Sequence, residues 1–509
     1  MAAIEHGPDS QPAAPLGDAP VVVTRAGAVR GVLLGEANAG YLGIPYAEPP
    51  VGDLRYALPV KRGPWQGIRE CRRYGATPLR DYMAAVTKVP EPSFPGEDTL
   101  LVNVFTPRPG ESSVALPVFV WFHGGGFVSG SPSSCWYDGG AFPRDGVVVV
   151  SVAYRLGFDG FGALDGAPDN RAVHDWILAL EWVRDNVAGF GGDPARVTIG
   201  GQSAGGTAVL TLLSIPSAHS LFSAVTVESP AMISGNRAEA AARAGRLAER
   251  LGILPTRAAF GGLDERTVFL AQAAMGRGEV GVPFVRGVVK RGATAMGWSP
   301  VVDGELVPLR IEQALSRGIG ADKPLLIGAT ANELDGVSKL LPAVLDRLPR
   351  RSALRIAGLS SAGACDYAAA TPGSPRSILG RLVSDQAFRF TVARMLAARA
   401  DGAAASGSAA STFGYDFRLP SAVTGLAGHC IELPFVWDCL DAANVVEANT
   451  GPHPPQNVAD LMHRSWVSFI GGGDPGWPAR TAPDHTGMIL DADPRVAPVF
   501  ERESSLIAH

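Results

Sequence analysis

The sequence predicts an α/β fold built on a mostly parallel, doubly wound central sheet. Two observations predict it. "PVFVWF" (Pro117–Phe122) and "GVVVVSVAY" (Gly146–Tyr154) are unbroken, β-rich apolar runs of strand length, the pattern of parallel strands buried on both faces. Downstream, segments of helical period alternate with further runs of this kind. Strand–helix alternation is the signature of a parallel sheet wound with helices on its faces.

Taken in order, Pro117–Phe122 and Gly146–Tyr154 are the first two buried strands. From Asn170 to Ala188 the residues Val173, Trp176, Ile177, Leu180, Val183 and Val187 recur at helical spacing. Asp169 reads as the N-cap of that helix and Gly189 as its stop. "RVTIG" (Arg196–Gly200) is the next strand and "AGGTAVLTLLS" (Ala204–Ser214) the next helix. The stretch from Arg237 to Ala274, rich in Ala, Arg and Leu, reads as helices forming an excursion above the sheet. "KPLLIGAT" (Lys323–Thr330) and "STFGYDFRL" (Ser411–Leu419) are later buried strands. "ARADGAAASGSAAS" (Ala398–Ser411) is low in complexity and reads as a surface connector. No internal repeat is visible.

The chain of 509 residues is 46% hydrophobic and 18% charged, enough apolar material for a large core. Large α/β enzymes often run as one domain, so residues 21–509 are taken as one unit after a flexible tail, 1–20. The tail has neither the basic start nor the apolar core of a secretory signal. The net charge of −5, with no basic stripe, argues against nucleic acid as a partner. No apolar run approaches the roughly 18 residues that span a bilayer, so no membrane partner is expected. The cysteines, Cys71, Cys135, Cys365, Cys430 and Cys439, are odd in number, widely spaced and without a CxxC. That pattern fits a reducing cytoplasm rather than a disulfide framework. Neither HExxH nor paired Cys/His spacing occurs, so no metal or cofactor is implied. A monomer or homodimer acting on a small molecule is expected.

Chemistry enters with "RVTIGGQSAGG" (Arg196–Gly206). Gly201-Gln202-Ser203-Ala204-Gly205 fits G-x-S-x-G, weak by itself in a glycine-rich chain. Its context strengthens it, with a strand before and a helix after. That is the setting of a serine nucleophile on a turn too tight for flanking side chains. "WFHGGGFVSG" (Trp121–Gly130) also follows a strand, and its glycines let backbone amides turn toward a developing oxyanion. A phosphate loop would require a Lys that is missing here. A base and an acid must follow Ser203 in the order Asp/Glu, then His. The downstream histidines are His429, His453, His463, His485 and His509, and the last two lie nearest the C-terminus.

These stretches resemble the type B carboxylesterases, the family of p-nitrobenzyl esterases and cholinesterases. The resemblance runs along nearly the whole chain, through "YLGIPYAEPPVGDLRY", "EDTLLVNVFTP", "PVFVWFHGGGFVSG", "FGGDPARVTIGGQSAGG", "PLLIGATANE" and "GHCIELPFVW". It implies an α/β-hydrolase fold with helical excursions over the active site. It further implies a serine carboxylesterase that works through an acyl-serine intermediate. By that resemblance the catalytic residues fall on Ser203, Glu333 and His429, and the oxyanion donors on Gly125, Gly126 and Ala204. Ser229 in "VESPAM" matches a serine of the family near the triad, and Gln202 adjoins the nucleophile. Asp335 is the rival acid. His123 and His174 read as structural.

The chain also departs from the family. Gln202 stands where many relatives have Glu, which removes a charge and weakens the case for choline-like substrates. Pro230 and Leu334 replace glycines, and Thr99 replaces an early cysteine. Neutral esters are therefore the expected substrates, with Phe127, Phe435 and Trp437 as pocket-lining or core aromatics. "VESPAM" and "HCIELPF" also resemble a bacterial phenylcarbamate hydrolase, so aryl carbamate or amide hydrolysis by the same triad is the alternative. A non-catalytic binding protein, as some family members are, is the rival of another class. The joint presence of Ser203, Glu333 and His429 argues against it.

Overall fold

The structure, a computed structural model, describes residues 17–35, 38–137, 139–231, 235–276, 281–292, 297–407, 410–481 and 484–507. Its apolar runs assemble into a 13-stranded sheet. In chain order the main strands are β1 (Gly17–Val23), β2 (Ala28–Gly35), β3 (Asn38–Pro45), β4 (Leu101–Thr106), β5 (Leu116–Phe122), β6 (Val148–Val152), β7 (Gly192–Gln202), β8 (Ala224–Glu228), β9 (Leu325–Thr330), β10 (Thr412–Phe417), β11 (Thr486–Leu490) and β12 (Arg495–Pro498). Ile68–Glu70 adds a short strand beside β2. Across the sheet the order is β1-β2-β3-β4-β6-β5-β7-β8-β9-β10-β11-β12. Neighbours from β6 through β11 run parallel. The β1–β4 flank, its junction with β6, and the β11–β12 pair are antiparallel.

The expected buried strands are β5, β6, β7, β9 and β10. Their side chains alternate between two apolar cores, one on each face of the sheet, as a pleated strand requires. Val118, Val120 and Phe122 of β5 enter one core, and Phe119 and Trp121 enter the other. Val148, Val150 and Val152 of β6 join the first, and Val149 joins the second. Burying such a side chain contributes about 1.5–3 kcal/mol, which fixes the register. A slip of one residue would exchange the two faces.

Several local expectations need correction. β1 begins at Gly17, before the Val21 boundary read from the sequence, while residues 1–16 of the expected tail lie outside the described residues. The helix Arg171–Asn186 is preceded by Asn170 at φ 53, not capped by Asp169. The Asn170 amide binds the Val301 carbonyl at 2.8 Å, and Asp169 pairs instead with Arg237 at 2.6 Å. That helix runs on into a 3₁₀ turn, Val187–Phe190, and stops at Gly191 (φ 82) rather than Gly189. Most of the supposed connector Ala398–Ser411 is the end of a helix, Phe390–Ser406, packed against the body of the protein. Arg399 there is 3% exposed. A Cβ on Gly402 would lie 1.9 Å from the Leu315 carbonyl, so glycine lets two helices touch.

The Arg237–Ala274 stretch forms the expected helices, Arg237–Leu251, Arg257–Gly261 and Glu265–Gly276. Among the described residues no helix is long and apolar enough to cross a membrane. The segments that follow β5, β7, β9 and β10 leave from the carboxyl ends of the strands, where open α/β sheets place their sites.

Candidate active site

β7 runs straight into a reversal. Gln202 is its last residue, Ser203 has φ 59 and ψ −121, and a helix occupies Ala204–Leu213. A non-glycine residue held at such angles costs about 1–3 kcal/mol, and the surroundings impose it. The Ser203 amide donates to the Glu228 carbonyl at 2.8 Å, and Thr207 N donates to the Ser203 carbonyl at 3.0 Å. The flanking glycines are steric necessities. A Cβ on Gly201 would lie 2.4 Å from the Gly205 carbonyl carbon, and one on Gly205 would lie 1.9 Å from the Phe122 carbonyl oxygen.

The glycine loop after β5 lies against this turn. A Cβ on Gly124 would fall 3.2 Å from the Ser203 Cβ. Gly125 and Gly126 have φ 113 and φ 61, and the Gly125 carbonyl accepts from Val128 N and Ser129 N at 3.1 and 2.9 Å. The amides of Gly125, Gly126 and Ala204 have no acceptor among the described residues. Ala204 opens its helix, so its N–H has no intrahelical partner. Beside the loop, burial pushes His123 down to about 4 and keeps it neutral. It stacks on Tyr154 at 4.6 Å and bonds the Gly124 carbonyl through Nδ1 at 2.8 Å. It is a structural histidine, as expected.

Glu333 and His429 come together from the loops after β9 and β10. One Glu333 carboxylate oxygen accepts from His429 Nδ1 in a very short hydrogen bond. The other accepts from Thr330 N at 2.9 Å. The His429 amide donates to the Glu333 carbonyl at 2.9 Å, and Phe388 packs on the imidazole at 4.4 Å. Burial lowers the affinity of His429 for a proton, but the charge and hydrogen bond of Glu333, with Glu432 behind it, outweigh burial and raise it above 6.5. The other ring nitrogen, Nε2, lies 3.4 Å from Gln202 Nε2, beside the nucleophile turn. The Ser203 hydroxyl has no hydrogen bond among the described residues. In unliganded sites that contact commonly tightens only when substrate binds.

The other candidates point elsewhere. Asp335 bonds Ser384 Oγ and accepts from the Asn332 amide at 2.8 Å, away from His429. His463 bonds the Val436 carbonyl and Asp145, and His485 accepts from Arg480. His174 sits in the Arg171–Asn186 helix, and His509 lies outside the described residues. Phe127, Phe435 and Trp437 are 0%, 0% and 3% exposed. They pack in the two apolar cores, the second of the two alternatives. No group of His, Cys, Asp and Glu among the described residues is arranged to hold a metal.

Two buried acids escaped the sequence reading. Glu432 Oε1 accepts from Ser229 Oγ at 3.3 Å and lies 3.4 Å from Gln202 Nε2, while Cys430 Sγ lies 3.4 Å from Gln202 Oε1. Glu228 accepts from Trp466 Nε1 at 2.9 Å. Burial pushes both carboxyls up to about 8, aided at Glu432 by the neighbouring Glu333 and Glu228 charges. Each therefore holds its proton more tightly than an exposed carboxyl does. Glu432 stands three residues past His429 in "HCIELPF", but only the fold brings it to Gln202 and Ser229.

The Carboxylesterase family model matches residues 18–491. The para-nitrobenzyl esterase of Bacillus subtilis (strain 168) is 29% identical over 498 residues, covering 93% of this chain and 95% of that protein. The phenmedipham hydrolase of Pseudarthrobacter oxydans is 31% identical over 502 residues, covering 92% and 95%. A carboxylesterase structure from Geobacillus stearothermophilus superposes with a TM-score of 0.81 at 30% identity, covering 96% of this chain and 99% of that one.

Proposed function

This chain belongs to the carboxylesterase family and is a serine carboxylic ester hydrolase, and on that premise we propose that Ser203, His429 and Glu333 perform the hydrolysis. The observation that carries the assignment is the Glu333–His429 pair. Its second nitrogen lies 3.4 Å from the side chain of Gln202, the residue next to a serine held at φ 59 at a backbone cost. His429 Nε2 takes the Ser203 proton as Oγ adds to the ester carbonyl, and Glu333 orients and steadies the imidazolium. The Gly125, Gly126 and Ala204 amides hold the oxyanion. Collapse expels the alcohol with the proton from His429 and leaves an acyl-serine. A water, deprotonated by His429, then releases the acid. Ser229 and Gln202 support the site through Glu432 without touching the reacting atoms.

The pH dependence follows from His429. Only neutral imidazole accepts the Ser203 proton, and Glu333 raises its pKa. The acid limb of kcat/KM therefore has its midpoint above the ordinary value of about 6.5. A pH–rate profile checks this, and a midpoint at or below that value contradicts it.

Neutral esters are the proposed substrates. Gln202 carries no charge, and burial disfavours the ionised forms of Glu228 and Glu432. Position 202 therefore lacks the carboxylate that would attract a quaternary ammonium. A neutral aryl or short-chain ester is expected to show at least about ten-fold higher kcat/KM than the choline ester of the same acid. Gln202→Glu narrows that gap. A wild-type preference for the choline ester would sink this reading.

Aryl carbamates form the second reading, favoured by the likeness to phenmedipham hydrolase. Parallel rates on p-nitrophenyl esters, aryl carbamates and anilides decide between them. The enzyme is further proposed to be cytoplasmic, as a monomer or homodimer. Among the described residues no disulfide forms, which supports a reducing compartment.

A further inference from the structure

A segment outside the triad grips the glycine loop, and its centre is a buried carboxylate the mechanism does not use. Glu91 is 6% exposed. Its carboxylate accepts from Met83 N at 3.3 Å and lies near enough to the Gly130 amide for that dipole to favour its charged form. Gly130 closes the loop: at φ 93, a Cβ there would lie 2.1 Å from the Gly124 carbonyl oxygen and 2.4 Å from His123 Nδ1. A second tie runs alongside, where the Asp81 amide donates to the Val128 carbonyl at 2.8 Å. Arg80 braces the segment from behind, with its guanidinium bonding the Pro78, Glu91 and Pro92 carbonyls. The segment also reaches the glycine loop at Gly126, where a Cβ would stand 3.8 Å from Met83 Sδ.

Resting on the hydrolytic reading above, we propose that Glu91 is a positioning residue for the oxyanion loop, holding the Met83 amide and with it the segment that packs on Gly126 and ties to Val128, so that the Gly125 and Gly126 amides stay aimed at the reacting carbonyl. The siting is costly for a carboxyl group. Burial pushes Glu91 up to about 6, with the Met83 amide, Arg80 and the Gly130 amide pulling against it. A polar group kept in such a place needs its partner, and removing it leaves the Met83 amide without its acceptor. That amide would recruit water or shift, and the loop its segment holds is the one whose dipoles must be set before charge develops. Glu91 touches no reacting atom. Its effect should therefore appear where negative charge builds on the carbonyl oxygen and not where substrate first binds.

The test uses the full-length protein and the variants Glu91→Gln and Glu91→Ala. Gln keeps one acceptor oxygen; Ala keeps none. Three quantities are measured: kcat and KM on a p-nitrophenyl ester, the affinity of an aryl trifluoromethyl ketone, and the affinity of the matching non-activated methyl ketone. In the trifluoromethyl ketone adduct, Ser203 Oγ bonds the carbonyl carbon, the serine proton passes to His429, and the carbonyl oxygen becomes the oxyanion. The expected result is a kcat lower by about ten-fold in Gln and about a hundred-fold in Ala, with KM within about two-fold. Trifluoromethyl ketone affinity falls in proportion to kcat/KM, and methyl ketone affinity holds. The proposal is overturned if Glu91→Gln leaves kcat and trifluoromethyl ketone affinity within about two-fold, or if kcat falls while that affinity does not follow. Should Glu91→Ala fail to fold, Glu91→Gln alone decides. A wild-type protein that forms no Ser203 adduct with the trifluoromethyl ketone would overturn the hydrolytic reading itself, and this inference with it.

Discussion

Ser203→Ala lowers kcat/KM for ester hydrolysis by about five to six orders of magnitude, because the members of a nucleophile–base–acid unit fail together. The protein stays folded. Alanine has the same Cβ as serine at φ 59, so the strain of the turn is unchanged, and the Ser203 hydroxyl holds no partner among the described residues. The backbone bonds to Glu228 and from Thr207 remain. Steady-state kinetics with a thermal melt checks both halves. Activity within about ten-fold of wild type in a folded variant would remove Ser203 as the nucleophile.

Glu333→Gln is expected to cost about three to four orders of magnitude in kcat, far more than Asp335→Asn. The reason is tautomeric. A carboxylate at Nδ1 accepts the ring proton and leaves Nε2 with a lone pair for the Ser203 proton. A glutamine side chain can donate to Nδ1, which puts the ring proton on Nε2 and removes the base. It also takes away the charge that stabilises the imidazolium. Asp335 bonds Ser384 and Asn332 and does not reach the imidazole. Its replacement by Asn should cost stability and less than about ten-fold in rate. The two variants assayed side by side on one ester check the assignment. If Asp335→Asn is the crippling change, the acid lies two positions downstream of where it is placed.

The parts of this site that were legible in the sequence are those written in local pattern. Ser203 announces itself because strand, glycines and helix are contiguous, and Gly200, Gly201 and Gly205 each answer a contact under 3 Å. The glycine loop after β5 is legible for the same reason. Glu333 is not, since a loop glutamate looks like any other until β9 and β10 lie side by side and bring it to His429. Only the family resemblance singled it out. Glu91, Glu228 and Glu432 had no signal at all: their burial is created by segments distant in sequence, and a charged residue type ordinarily signals exposure.

The fold shows the same division. The parallel strands are apolar on both faces and were readable, whereas β1 is exposed at most of its positions and carries little hydrophobic pattern. At the start of the Arg171 helix, Asp169 and Asn170 are both competent caps. A partner at Val301, 131 residues away, engages Asn170. In the Ala398–Ser411 stretch, low complexity concealed a good alanine-rich helix, and the packing that keeps it ordered depends on Gly402.

The central claim is that Ser203 is the activated nucleophile of a hydrolase. Incubation of the wild-type protein with a reactive organophosphate, followed by intact-mass and peptide mapping, tests it most directly. The expected result is one phosphoryl adduct per chain, located on Ser203 in "GGQSAGG", formed in step with the loss of esterase activity and absent from Ser203→Ala. An unlabelled protein, or an adduct on another residue while Ser203 stays unmodified, would contradict it.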